Sequence, residues 1–331
     1  MKIAIAIALF VLTISLSSQT PKSITYQTWK NGAWLNDSRE VNSFDASGYV
    51  ISDMQESWTP SVTAWRATVQ NSYTNNAAGL PLKCETIVKN DNANTWDNLS
   101  VRQTTYTAKN KIQTSLYQGY YSGVPQNNTL DNYFYDLNGY ETEHQSNHWS
   151  GSAWVLDAKT TYTNNSQGFP VQHLEQKMVS GIWVNQTYVI TSYFAADKIS
   201  EFLQQDWSGS AWMNSSKGVI TYDLFAYPMT YEYYEWKNGA WIQTYRITYT
   251  NRADGRIDYI VYETDNGAGW ENDLKLIYDW TGVPTGIREF ASDESSPAIY
   301  FDFNGRQVEK QSNVLLIEQK GNVRRKVLIR E

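Results

Sequence analysis

The hexapeptide Trp236-Lys237-Asn238-Gly239-Ala240-Trp241 recurs along this chain and decides how it folds. It is repeated as Trp29-Lys30-Asn31-Gly32-Ala33-Trp34, and as Trp-Ser-Gly-Ser-Ala-Trp at 149–154 and 207–212. The second Trp, taken as a marker, falls at Trp34, Trp65, Trp96, Trp154, Trp183, Trp212, Trp241 and Trp270. The steps are 29 or 31 residues, apart from one double step of 58 that contains a degenerate copy at 121–126. Nine units of about 30 residues indicate a repeat architecture.

The spacing within each unit predicts two strands. An aromatic residue follows each marker Trp after eight or ten positions, at Phe44, Tyr73, Tyr106, Tyr162, Tyr193, Tyr222, Tyr249 and Tyr278. Both spacings are even, and residues an even number apart in a strand lie on one face. The pattern therefore predicts that each marker Trp and its Tyr share one covered face. On this basis Trp183→Ala is expected to cost about 3–5 kcal/mol, and Val184→Thr much less.

Turn signals separate the strands. Asn-Gly at 31–32 and 238–239 suits a tight hairpin turn because both residues tolerate positive φ. Glycine recurs 14 residues after the marker, at Gly48, Gly79, Gly168 and Gly255. No segment between 24 and 298 shows a 3.6-residue apolar period. The prediction is an all-β, antiparallel meander of about 18 strands.

In so long a sheet, the aromatic face must be buried against another part of the protein. Laid flat, 18 strands would span roughly 85 Å, and sheets of that width normally curl or split. The sequence predicts a curled spiral or a two-layered sandwich, with an open sheet as the third arrangement. A barrel of 18 strands is disfavoured because side chains would not fill its lumen.

The two chain ends have features of an exported protein. Residues 1–18 combine Lys2, an apolar run from Ile3 to Leu16 and small residues near Ser18, which predicts a cleaved signal peptide. The β-repeat region is then 19–298 and the tail 299–331. No later segment predicts a transmembrane helix. A porin-like wall is also not expected, because Lys, Arg, Thr and Gln alternate with the aromatics.

Composition narrows the function. The net charge is −7, and the tail from Ile299 carries seven Lys/Arg against four Asp/Glu, so the repeat region is more acidic still. An acidic surface argues against nucleic acid as a partner. The single Cys84 excludes an intramolecular disulfide and is interpreted as a small buried residue rather than a reactive thiol.

No catalytic motif stands out from the repeat. His144 and His148 share a predicted strand face but would be about 13 Å apart, too far to ligate one metal. The carboxylates are scattered, whereas a glycosidase needs two of them within a cleft. The prediction is a protein that is not an enzyme and has no cofactor and no metal.

The aromatic ladder is the one suggestive feature, and it has two interpretations. Stacked aromatics are most often the covered face of a sheet, but they can also form carbohydrate platforms. If some rings bind a ligand, the turn-proximal ones are the candidates: Trp29, Trp58, Trp149, Trp207 and Trp236.

The tail resembles the C-terminal sorting domain of type IX secretion substrates in Bacteroidetes. The resemblance rests on Tyr300-Phe301-Asp302-Phe303-Asn304-Gly305-Arg306, the apolar run 314–317 and the basic segment 324–326. It departs at Asn313-Val314-Leu315, where that family has Gly-Val-Tyr or Gly-Tyr. Three short strands are predicted, with turns at 304–305 and 320–321. The resemblance implies the type IX secretion machinery as a partner.

The repeat body faintly resembles the Tyr-Asp repeats of Rhs-type proteins and the Trp-containing choline-binding repeats, both of which have periods of about 20 residues. Two functions therefore stand as expectations. One is a non-enzymatic, secreted or outer-surface repeat protein with an adhesive or structural role, whose partner is a surface glycan or protein. The alternative is a glycan-binding module that captures polysaccharide on its Trp/Tyr ladders.

Overall fold

A computed structural model describes residues 20–195 and 197–283, together with strand segments at 299–301, 307–308, 315–320 and 323–328. The predicted signal peptide, 1–18, lies outside the described residues. Eighteen strands form one sheet: β1 Ser23–Lys30, β2 Ala33–Phe44, β3 Val50–Thr59, β4 Ala64–Asn75, β5 Pro81–Asn90, β6 Thr95–Tyr106, β7 Ile112–Tyr121, β8 Val124–Tyr135, β9 Glu141–Trp149, β10 Trp154–Asn164, β11 Pro170–Val179, β12 Ile182–Ala195, β13 Lys198–Trp207, β14 Trp212–Tyr222, β15 Pro228–Lys237, β16 Ala240–Asn251, β17 Ile257–Asp265 and β18 Trp270–Asp279. In the part of the chain described, no helix is long and apolar enough to cross a membrane.

The sheet closes on itself. β1 pairs antiparallel with β2, where Tyr26 faces Ser38, and also with β18, where Tyr26 faces Leu276. Each of the 18 strands therefore has two hydrogen-bonded neighbours, and the sheet is a barrel. The all-β class and the strand count were predicted, but the open, curled or two-layered meander was wrong.

β-bulges account for the closure. In all nine hairpins within the units, the register skips one residue of the second strand. The skipped residues are Asp37, Thr68, Leu99, Asn128, Asp157, Gln186, Ser215, Thr244 and Asp273. Wherever a marker Trp exists, the skipped residue is the third after it. A bulge bends its strand and increases its twist, so a bend repeated at one level of every unit curls the sheet until its edges meet.

The same bulges reverse the predicted faces. In β13, Phe202 pairs with Gly218 of β14, and Trp207 pairs with Trp212. Phe202 and Trp207 are five positions apart in a regular strand, so their side chains lie on opposite faces of the sheet. The face of Phe202 carries the core cluster and lines the lumen. The marker Trp lies on the outer wall and the Tyr that follows it in the lumen. The prediction of one shared covered face was wrong, because the extra residue shifts the alternation by one.

The barrel has two different rims. The Trp rim is formed by the turns within the units: 31–32, 60–63, 91–94, 122–123, 150–153, 180–181, 208–211, 238–239 and 266–269. The Asx rim is formed by the turns between units. β1 begins and β18 ends at the Asx rim, so the chain enters and leaves the barrel there.

Six turns of the Asx rim have five residues with a side-chain acceptor at the first position: 45–49, 76–80, 107–111, 136–140, 165–169 and 223–227. In the turn 223–227 the Asp223 carboxylate accepts the backbone N–H groups of Phe225 and Tyr227, at 2.8 and 2.9 Å. The fourth residue has a positive φ, which glycine adopts in most copies. Here it is Ala226, at φ 60°.

We expect Ala226→Gly to stabilise the barrel by about 0.5–1 kcal/mol. Glycine lacks the Cβ that makes the left-handed conformation unfavourable, and this gain exceeds the entropy that glycine adds to the unfolded chain. Urea unfolding measures the change. As a control, Ala158→Gly in β10 should destabilise the barrel by a similar amount. A loss of stability in both variants would contradict the backbone conformation at Ala226.

Only one sector of the lumen is a hydrophobic core. Its buried residues extend from Val189 on β12 to Leu276 on β18, with Ile24 and Tyr26 of β1 packed against them. Gly218 marks the tightest place, because a Cβ there would lie 2.3 Å from the Phe202 ring and 2.6 Å from the Tyr231 ring. The lumen faces of β2–β11 carry mainly polar side chains.

The tail forms a separate small sheet. Its strands, β19 Ile299–Phe301, β20 Gln307–Val308, β21 Leu315–Lys320 and β22 Val323–Leu328, pair in the order β20-β19-β21-β22. All its pairings are antiparallel. Three strands were predicted, and the described segments form four.

Candidate functional site

Pairs of Trp rings form a belt on the outer wall beside the Trp rim. Five hairpins place two Trp side chains opposite each other, with centroids 4.9–5.1 Å apart and planes at 63–65°. The pairs are Trp29–Trp34, Trp58–Trp65, Trp149–Trp154, Trp207–Trp212 and Trp236–Trp241. This edge-to-face geometry is favourable between aromatic quadrupoles. All ten rings are half-buried.

A second row lies directly behind the Trp belt. In four units a Gln amide donates to an Asn amide oxygen across the hairpin at 2.9–3.1 Å: Gln27–Asn36, Gln118–Asn127, Gln176–Asn185 and Gln205–Asn214. In β1–β2 and β13–β14 the two residues follow the Trp pair on the same face. Behind the other three Trp pairs the same position carries Glu56, Asn147 and Gln243. The outer wall therefore turns polar within two residues of the Trp belt.

Cations cover several of the marker rings. Arg39 lies over Trp65 at 4.8 Å, and Arg246 lies over Trp270 at 4.6 Å. Lys159 and Lys217 cover Trp183 and Trp241, at 4.7 and 5.2 Å. In these four contacts the cation comes from the preceding unit, so cation–π contacts link neighbouring repeats.

The predicted ligand residues Trp29, Trp58, Trp149, Trp207 and Trp236 all lie in this belt. The structure brings each of them against its marker Trp and distributes the five around the rim instead of gathering them into one pocket. One side of each ring is occupied by the edge-on partner. Binding of a ligand by these five residues stays a prediction.

The polar sector of the lumen contains a hydrogen-bonded network that the sequence analysis missed. Asp53 on β3 is 5% exposed and accepts the Asn71 amide at 2.9 Å and the Tyr73 hydroxyl at 2.6 Å. Thr86 on β5 then donates to the oxygen of Asn71 at 2.7 Å. The available signal is a polar residue at the third position after seven of the eight marker Trp residues. Read as a bulge, that residue would have placed the following side chains on the correct lumen face.

A second polar group continues around the lumen. Arg102 on β6 donates to Ser115 at 3.0 Å, and Asp131 on β8 lies 3.4 Å from His144 on β9. His144 also stacks on Tyr133, with centroids 4.6 Å apart. Burial acts to raise the pKa of Asp131, but hydrogen bonds from His144 and Ser146 hold it below its ordinary value.

These groups do not form a nucleophilic or metal-binding centre. Burial raises the pKa of the Cys84 thiol, which keeps the weakly nucleophilic protonated form at neutral pH. His148 is near Asp157, at 3.9 Å, whereas His144 is near Asp131. Within the described ranges, no three His, Cys, Asp or Glu residues are grouped so that they could hold a metal ion.

The lumen opens into a cleft of about 760 Å³ at the Asx rim. Glu40, Asn42 and Asp53 supply its polar wall, and Phe44 and Leu80 belong to its apolar wall. The amide of Asn42 is 3.4 Å from the Glu40 carboxylate. Burial, with the nearby charge of Asp53 adding to it, raises the pKa of Glu40.

We expect Glu40→Gln to stabilise the protein at pH 7 but not at pH 4, by less than about 1 kcal/mol for a partly exposed group. Folding raises the pKa of Glu40, so its protonated form favours the folded state. This contribution to stability is fully present below the ordinary carboxyl pKa of about 4.3. It is lost as the pH rises through the pKa that Glu40 has in the folded protein. Urea midpoints at the two pH values test this. An equal gain at pH 4 would contradict the prediction.

Comparisons with known proteins show no family for this chain. No protein-family profile and no curated protein matches the chain. A porin-like protein from Bacteroides uniformis aligns over 78% of this chain and 96% of its own, at 8% identity and a TM-score of 0.40. A second porin-like protein, from Bacteroides vulgatus, aligns over 78% and 98%, at 9% identity and a TM-score of 0.26. TcdB2-TccC3-TEV aligns over 89% of this chain and 16% of its own, at 9% identity and a TM-score of 0.34. All three scores are below 0.5, so the proposals below rest on this chain's own residues.

Proposed function

We propose that this protein is an exported, non-enzymatic barrel that acts at the outer cell surface, in adhesion or as a structural surface component. The observation that carries the proposal is the repetition of one contact set on the outer wall. Trp pairs occur in five of the nine hairpins, Gln–Asn pairs in four, and cations over the marker Trp of the following unit on four strands. The hairpins β1–β2 and β13–β14 combine all three contacts. An active site is normally a single constellation of unlike residues, whereas repeated contacts suit a partner that binds at many points.

Export rests on the two chain ends. The signal peptide at 1–18 would direct the chain across the inner membrane, and the tail from Ile299 would engage the type IX secretion machinery. Deletion of 299–331 in the native host should leave the barrel in the periplasm. Intact cells that label equally with antibody, with and without the tail, would contradict this route.

The surface role has its own test. Cells that display the full chain should attach and autoaggregate more strongly than cells without it, and Lys159→Gln with Lys217→Gln should weaken both effects by removing two outer-wall cations. Lys177→Gln, whose position faces Ala158 on the lumen side, is the matched control. Unchanged attachment on loss of the whole protein would count against the adhesive role. Reproducible turnover in a screen of polysaccharides, peptides and esters would count against a non-enzymatic role.

A glycan is one partner that this proposal accommodates. Aromatic rings beside amides are the side chains that sugars use, but here the rings are partly occupied by each other and by cations. A glycan array with the mature chain addresses this alternative directly.

A further inference from the structure

We infer that the Trp rim is a membrane-docking surface, which inserts shallowly into the interfacial layer of a zwitterionic phospholipid bilayer. The inference does not depend on the adhesive role proposed above. It rests on three properties that the Trp rim combines: exposed apolar side chains, few charges and a shallow aromatic belt.

Large apolar side chains at this rim are exposed in the turns and on the lumen side of the wall, whereas the Trp belt on the outer side is half-buried. The turns and strand ends expose Val62, Tyr121 and Ile182 by 65, 77 and 68%. Just inside the mouth, Leu35, Val155, Met213 and Ile242 are 41–53% exposed. These seven residues belong to seven of the nine hairpins around the rim. An exposed apolar ring of this extent marks an interaction surface.

The same rim carries few charges. Among the nine turns that define it, Asp91 is the only charged residue, and the turns are otherwise made of small or polar uncharged residues such as Ser-Gly and Asn-Gly. Three charged residues, Lys30, Lys237 and Asp265, directly precede a turn at the strand ends. The turns of the Asx rim, by contrast, include Asp45, Asp136, Asp223 and Arg252. In a chain of net charge −7, the Trp rim is therefore the end that costs least to remove from water.

The depth of the apolar layer favours docking over spanning. The Trp pairs lie one or two residues from the turns, and polar side chains follow two residues later on the same face. At about 3.4 Å per residue, the apolar layer is on the order of 5–10 Å deep. That matches the depth of interfacial insertion and falls far short of the ~30 Å hydrocarbon core. Tryptophan also prefers the membrane–water interface.

The geometry favours lipid over two other occupants. A second copy stacked rim to rim would cover the mouth but leave the outer Trp belt in water. A glycan lying along the belt would leave Leu35, Met213 and Ile242 exposed inside the mouth. A lipid layer surrounds the rim and covers both sets. Both chain ends leave from the Asx rim, so the described barrel has no terminus at the proposed docking surface.

Flotation of the mature full chain with phosphatidylcholine vesicles tests the inference. We expect the barrel to float with the vesicles, and lipids brominated near the headgroup to quench its Trp fluorescence more than lipids brominated deep in the chains. Val62→Ser with Ile182→Ser should lower the partition coefficient at least about tenfold, from the loss of two apolar side chains. Both positions are exposed, so the fold should be retained.

The matched control is Leu137→Ser with Leu224→Ser, two positions on the Asx rim that are 98 and 68% exposed. This variant should float like the parent. Three outcomes would each overturn the inference. The two double variants could lose vesicle binding equally, binding could require anionic lipid and disappear in salt, or soluble glycan could release the protein from the vesicles. A dimer in solution that Val62→Ser with Ile182→Ser abolishes, with no flotation of the parent, would assign the rim to a second copy instead.

Discussion

Thr25→Pro is expected to abolish the cooperative unfolding transition of the barrel, because Thr25 lies in the strand that closes the sheet. Its partners are Arg39 on β2 and Ile277 on β18, so β1 is hydrogen-bonded on both sides. Proline removes a ladder donor and is tolerated essentially only at sheet edges or bulges. Separation of β1 would also create two unpaired edges, which promote aggregation. The expected cost is at least about 3 kcal/mol, judged from the lost donor and the buried groups left unpaired.

The matched control is Thr25→Ala, which keeps the backbone donor and should remain folded. Urea unfolding and size-exclusion chromatography distinguish the two variants. In an open meander β1 would be an edge strand, and proline would be tolerated if its missing N–H pointed to solvent. A Thr25→Pro variant that stays monomeric and loses less than about 1 kcal/mol would therefore contradict closure.

Sequence reasoning reaches the units but not their closure, and the reason is local. The marker Trp, the even-spaced Tyr and the glycine turns predict strands and hairpins, since each signal acts within one unit. Asp37 and Ser215 are skipped in the ladder, yet neither interrupts the apolar spacing that was read as regular alternation. The extra residue in each of the nine units places the marker Trp and the Tyr that follows it on opposite faces, and it also bends the sheet. Both effects depend on how neighbouring strands pair, which the sequence of one unit does not show.

The lumen network was out of reach for the same reason. Asp53, Asn71 and Thr86 come from three consecutive strands, and their contact depends on register. The argument against an 18-strand barrel assumed that side chains must fill its interior. Here the lumen is apolar around Ile247 and polar around Asp131, so one sector packs while the other supplies groups that suit water. The five turn-proximal Trp residues lie beside the turns as predicted, and ligand binding by them stays a prediction. Their pairing and outward direction follow from the bulge.

Ile247→Ala is expected to destabilise the barrel by about 3–4 kcal/mol, as for a fully buried aliphatic side chain. Ile247 is 0% exposed and faces Tyr231 on one side and Tyr262 on the other. The adjacent Thr248 points to the outer wall and is exposed, so Thr248→Ala should change stability by no more than about 0.5 kcal/mol.

Trp183→Ala distinguishes the two assignments of the faces. The sequence pattern places Trp183 on the covered face, with a cost of about 3–5 kcal/mol. The structure places it half-buried on the outer wall, under Lys159 at 4.7 Å, which lowers the expected cost to about 1–2 kcal/mol from partial burial and one cation–π contact. Urea unfolding of the three variants gives the order Ile247→Ala, then Trp183→Ala, then Thr248→Ala. If Trp183→Ala costs as much as Ile247→Ala, the outer face that Trp183 shares with the Trp belt is core, and neither membrane docking nor a ligand platform on that face can stand.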